Sequence, residues 1–63
     1  MAYMMTGNRY TVEARDRDGW YDFGHFKTAD EARAEAKRFF DPAVIAAKHV
    51  KIIDSENMLE VDI

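Results

Sequence analysis

The stretch Tyr10-Thr11-Val12-Glu13-Ala14-Arg15-Asp16-Arg17-Asp18-Gly19-Trp20-Tyr21-Asp22-Phe23-Gly24-His25-Phe26 decides the fold of this chain. From residue 9 to 16 the side chains alternate, with Arg9, Thr11, Glu13 and Arg15 on one parity and Tyr10, Val12 and Ala14 on the other. That pattern predicts a half-buried strand with one apolar face. Asp18-Gly19 follows and is a hairpin signal, because both central residues of a type I′ turn need positive φ. Trp20 to Phe26, rich in aromatic residues, predicts the returning strand.

The hairpin register follows from charge. A two-residue loop at Asp18-Gly19 sets Arg15 opposite Asp22 and Ala14 opposite Phe23. A four-residue loop sets Glu13 against Asp22, like charges face to face, so the shorter loop is expected. Both registers keep Tyr10, Val12, Ala14, Tyr21 and Phe23 on the core face, since side chains repeat with period two. Trp20 then points outward beside Arg17. Gly24 is either a regular strand position or the mark of a bulge that turns Phe26 inward.

Downstream, Thr28-Ala29-Asp30-Glu31 is a capping box that opens a helix running to about Phe40. Ala29, Ala32, Ala36, Phe39 and Phe40 form its apolar stripe, and the small residues let it sit close to a sheet. Asp41-Pro42 ends that helix and starts a short one over Ala43 to Lys48, with Asp at the N-cap and Pro at the first position. Val50-Lys51-Ile52-Ile53-Asp54 predicts a third strand, Ser55-Glu56-Asn57 a turn, and Met58 to Ile63 a last strand with Leu59, Val61 and Ile63 on one face. The order β-β-α-(short α)-β-β predicts an α+β domain: an antiparallel sheet of about four strands with the main helix packed on one face. Residues 1–63 are expected to form one domain, with 1–7 weakly ordered or a short extension.

The chain has 63 residues, 12 acidic against 9 basic, and 48% hydrophobic residues. That composition is too apolar for a disordered chain. With no cysteine, it offers no disulfide, thiolate nucleophile or cysteine metal site. Its longest strongly apolar run, Ala43 to Ala47, is far short of the roughly 20 residues a membrane span needs. Met1 to Met5 lacks the basic start and long apolar core of a signal peptide, so a cytoplasmic protein is expected. One sheet and one helix seldom enclose the roughly 300 Å³ pocket that catalysis or small-ligand binding uses, which argues for a binding protein over an enzyme.

The charge is uneven. Residues 1–40 are neutral, whereas 41–63 hold Asp41, Asp54, Glu56, Glu60 and Asp62 against Lys48 and Lys51. If the last two strands pair, Asp54, Glu56, Glu60 and Asp62 gather along one hairpin. They are then either solubilising charges on an exposed edge or a field that attracts a basic partner.

The chemical constellations are sparse. His25 and His49 stand alone, without metal-ligand spacing. Ser55 lies between two acids, which disfavours an alkoxide. Asp16 and Asp18 lack the further oxygen ligands of a calcium loop, and Gly7, Gly19 and Gly24 form no phosphate-binding motif. No catalytic residue, cofactor or metal is expected. Arg9, Arg15, Arg17 and Trp20 on the first hairpin resemble what single-strand binders use, but Glu13 and Asp22 share that face and the pI is about 5.2. Direct nucleic-acid binding is therefore the weaker reading, and Trp20 with Arg17 suits a protein contact.

Tyr10 to Arg15, Gly19-Trp20, Gly24-His25-Phe26, Thr28 to Ala32 and Val50 to Asp54 together resemble the short proteins of phages and prophages that follow a hairpin, helix, strand plan. Within that class, small acidic single-domain proteins are similar to anti-CRISPR inhibitors. The resemblance implies a non-enzymatic inhibitor that binds a Cas effector complex through an acidic surface and blocks DNA binding, as a DNA mimic does. Its phosphate-mimicking residues would be Asp54, Glu56, Glu60 and Asp62, with Asp16, Asp18 and Asp22, and Trp20 would join them in partner binding. The implied partner is a host protein or nucleoprotein complex with a basic surface. The alternatives are a structural or regulatory homodimer, formed through an edge strand and Tyr3, Met4, Met5 and Trp20, and a single-strand nucleic-acid-binding hairpin.

Overall fold

A computed structural model describes residues 8–63. The expectations for residues 1–7, including the use of Tyr3, Met4 and Met5, lie outside the described residues. Six elements follow one another: β1 (Tyr10–Asp16), β2 (Gly19–Phe26), α1 (Ala29–Phe39), α2 (Pro42–Ala46), β3 (Val50–Asp54) and β4 (Leu59–Val61). The strands form one antiparallel sheet in the order β2-β1-β3-β4, and α1 lies on one face of it. The α+β plan read from the sequence is the plan observed. The last strand is shorter than expected, three residues in place of six.

Local signals set the helices. Thr28 Oγ1 accepts from the Glu31 N–H at 3.1 Å, and the Glu31 carboxylate reaches back to the Lys27 N–H at 3.2 Å. The first bond satisfies an orphan donor of the helix start, and the second ties the residue before the cap to the first turn. Asp41 and Pro42 open α2 as the sequence implies, although the Asp41 side chain makes no capping bond. Lys48 leaves α2 in the left-handed region, with φ 66°.

The core lies between α1 and the two central strands. Val12, Ala14, Val50 and Ile52 from β1 and β3 meet Ala32 and Ala36 of α1, all buried. Val12 and Ile52 stand directly opposite each other in the ladder. Burial of side chains of this size is worth about 1.5–3 kcal/mol each, and the two alanines let the helix axis approach the sheet. Tyr10, Phe23, Phe26, Phe40, Val44, Ile45, Val61 and Ile63 pack around this centre.

Two expectations about the first hairpin are corrected. Arg15 lies opposite Trp20 and Glu13 opposite Asp22, the register that like-charge repulsion disfavoured, and the ladder extends to Asp16–Gly19 so that Arg17-Asp18 forms the turn. The cause is the third strand. Glu13 also faces Lys51 of β3, whose Nζ lies 3.7 Å from its carboxylate, so one acid of the clash is compensated from the other side. Gly19 takes φ 118° at the return, a conformation glycine adopts without a Cβ penalty.

The second correction is the facing of Tyr21, while Gly24 follows the bulge alternative that the sequence leaves open. The register shifts between Val12 and Glu13, so that Val12 pairs with Gly24 and Phe23 is the extra residue of a bulge. The bulge swaps parity along β2 and brings Phe26 inward with Phe23. Gly24 serves the same end, because a Cβ there would meet the Phe26 ring at 3.1 Å. Phe23 packs on Phe39 and Phe40 with ring centroids 5.5 and 5.0 Å away. Tyr21, expected in the core, is 44% exposed, and Phe39 of the expected helix stripe is 57% exposed.

Candidate functional site

The face of the sheet away from α1 is covered by no element among the described residues. Cross-strand rows order its side chains. One row runs Trp20–Arg15, the next Asp22–Glu13–Lys51, and the third His25–Thr11–Ile53–Glu60. Asp62 follows β4 on the same parity as Glu60, while Val61 and Ile63 pack toward the core. Glu13, Asp22 and Glu60 share this face with Arg15 and Lys51, three carboxylates against two cations, whereas Asp62, just past β4, accepts Arg33 Nε of α1 on its carbonyl at 2.8 Å.

Lys51 organises the centre of this face. Its ammonium sits 4.4 Å from the centroid of the Trp20 ring while also pairing with Glu13. The ammonium thereby covers one face of the ring, which stays 43% exposed. Trp20 is outward, as the sequence implies, but its neighbour is Lys51 and not Arg17. Only the strand order, with β3 beside β1, reveals that neighbour.

The bulge creates a second cluster that the sequence concealed. It sets His25 across from Thr11, with Nδ1 2.9 Å from the threonine Oγ1, and Asp22 lies 3.9 Å from the imidazole Nε2. His25 looks isolated in the sequence because its partner is fourteen residues away and depends on the shifted register. His25 and Asp22 are largely exposed and Thr11 is half-buried beside them, so the geometry is that of a polar surface link.

The acids of the last hairpin divide. Asp54 closes β3 at the end of the sheet, where its side chain is only 9% exposed and accepts both Nε and Nη2 of Arg9 at 2.7 Å. It also accepts the Glu56 N–H at 3.0 Å and the Asn57 side-chain amide at 3.2 Å. The hydrogen bond from Arg9 is the main reason its carboxyl is lowered to about 2, with burial opposing and the turn amides assisting. Ser55 completes the knot, its N–H and hydroxyl both donating to the Arg9 carbonyl at 2.9 and 2.6 Å. Asp54 is spent on holding the turn, and Arg9 is withdrawn from the cationic surface of the first hairpin. Glu56 remains exposed, 3.4 Å from the same guanidinium.

At the far end of β1, Asp16 Oδ1 accepts the Asp18 N–H at 2.7 Å and shapes the Arg17-Asp18 turn. Seven strand residues, about 20 Å, separate that turn from the Asp54 knot. Of the residues singled out from sequence, Trp20, Asp22 and Glu60 share the open face, and Asp62 follows the end of β4. Asp16 and Asp18 lie at one end of the sheet, and Asp54 and Glu56 at the other.

Besides a groove of about 270 Å³ beside β4, lined by Ile45, Lys48, Val50, Glu60 and Asp62 among others, two more shallow grooves flank the sheet. One, of about 400 Å³, runs between the end of β2 and α1 and is lined by Phe26, Lys27, Glu31, Ala34 and Glu35 among others. The other, of about 390 Å³ and nearly all apolar, lies between α1, α2 and Ile63. Among the described residues, no group of three His, Asp or Glu side chains is placed to hold a metal ion, and no helix is long and apolar enough to cross a membrane. No known protein family matches the chain, and neither does any curated protein or solved structure.

Proposed function

We propose that this chain is a non-enzymatic inhibitor that binds a basic surface on a nucleic-acid-handling effector, the anti-CRISPR activity its resemblance to small phage proteins implies, and that it acts in the cytoplasm of the host cell. The observation that carries this reading is the open sheet face, where three carboxylates outnumber two cations around an exposed tryptophan. Carboxylates set on a rigid sheet present a fixed negative field, which a groove built for phosphates attracts. Trp20 supplies the apolar anchor at the rim of that field, of the type that dominates protein interfaces. Asp54 contributes fold rather than contact, so the contacting acids are Asp22 and Glu60 on the face and Asp62 just past β4, with Glu13 partly neutralised by Lys51.

Purified chain added to guide-loaded Cas effector complexes tests the reading. Target-DNA binding is expected to fall, and more strongly at about 50 mM than at about 300 mM salt, where surface charges are screened. The combined Asp22→Lys, Glu60→Lys and Asp62→Lys variant, with Asp54 intact, is expected to lose the effect. DNA binding that is unaltered in every complex, or inhibition that the triple reversal leaves intact, would overturn it.

A further inference from the structure

We propose that the free edge of β2 takes up an extended segment of the partner as an added strand, and that this segment alternates basic and apolar side chains. The inference rests on the protein-binding reading above and adds the mode of contact. β2 is eight residues long and, among the described residues, has a strand neighbour on one side only. Its outward N–H and C=O groups are a template for strand addition. The opposite edge, β4, spans three residues and offers far less of one.

Charge specifies the occupant. In the row Lys51–Glu13–Asp22, Glu13 is neutralised from β3, while Asp22 stands at the free edge directly beside it. Its side chain is 59% exposed, and the imidazole of His25 lies 3.9 Å from its carboxylate. Like charges opposite one another in a ladder are unfavourable. A Lys or Arg at the next position of the row, on an added strand, would restore the alternation of sign.

The other face specifies apolar residues. Tyr21, Phe23 and Phe39 form an aromatic ledge along the same edge on the helix side. Side chains of an added strand alternate between the two faces, so every second residue lands on this ledge. Beyond Phe26 the strand would run into the groove against α1, lined by Lys27, Glu31 and Glu35, where Glu35 also lies 3.9 Å from the Arg38 guanidinium. The bulge at Phe23 interrupts the edge, which fixes where an added strand must start and works against open-ended stacking.

The test is an amide-resolved NMR titration of the whole chain with a peptide the length of β2 that alternates Lys and Val. Shifts are expected at residues 19–26 and at Phe39. Methylating the peptide amides that would face β2 should weaken binding by about tenfold or more, the cost of the lost backbone hydrogen bonds. Asp22→Lys should weaken it by a similar factor, about tenfold, by removing the opposite charge. Shifts confined to the open face, to the groove by α2, or to no residue at millimolar peptide would overturn the strand addition, as would a concentration-dependent dimer in sedimentation that claims the β2 edge for a second copy. An effector that still binds while the β2 amides stay unshifted would remove this inference and leave the inhibitor reading standing.

Discussion

The two hairpins of this sheet use aspartate in opposite ways. In the β3–β4 hairpin, Asp54 is nearly enclosed, gripped by both nitrogens of the Arg9 fork, and tied to two amides of its own turn. In the β1–β2 hairpin, Asp22 stands exposed beside a second carboxylate with no strong partner. One acid organises the fold. The other costs it something, and a charge kept at such a cost is a better candidate for contact than one already satisfied. Net charge alone conceals that division.

The strongest way to break the comparison is to remove what both hairpins share. Ile52 sits at the centre of the core opposite Val12. Ile52→Ala is expected to lower stability by about 2–5 kcal/mol, read from urea unfolding, and to loosen both hairpins together. Loss confined to β3–β4 would show that the hairpins are not one cooperative unit.

Arg9→Ala should act next most strongly, leaving a nearly buried carboxylate unpaired. Its signature is in pH. The Asp54 carboxyl is lowered from 3.8 to about 2 in the folded chain, so its contribution is fully present above pH 3.8 and is lost as pH falls toward 2. The parent chain should lose stability across that window, and Arg9→Ala should show a flatter acid limb. An unchanged limb would assign acid sensitivity to other carboxylates.

Lys51→Ala sharpens the comparison from the other side. It removes the partner that tolerates Glu13 beside Asp22, and about 0.5–1 kcal/mol of stability should go with it. Trp20 fluorescence should change in the same variant, because the ammonium lies over its ring. Adding Asp22→Asn to Lys51→Ala should return part of the loss. A strictly additive pair would mean the row is not coupled.

Much of this architecture was readable because its signals are local. The alternation of 9–16, the capping box at Thr28, the Asp41-Pro42 break and the Val50–Asp54 strand each depend on neighbours a few residues apart. The hairpin register was not readable from one pair of strands. Repulsion between Glu13 and Asp22 was judged without Lys51, and nothing in the sequence places β3 beside β1. The Arg9–Asp54 clamp joins residues 45 apart and carries no local mark. Read from the sequence, Asp54 was one more member of an acidic strip. Its real place was visible only once Arg9 lay beside it.

The Asp22 and Asp54 contrast can be measured directly with two single substitutions of the same chemistry. Urea unfolding at pH 7 of Asp22→Asn and Asp54→Asn should give opposite signs. Asp22→Asn should gain a few tenths of a kcal/mol, roughly 0.2–0.5, from relief of like charge, and Asp54→Asn should unfold at clearly lower urea than the parent. Stability lost in both would contradict the division of these acids into one that holds the fold and one left free for a partner.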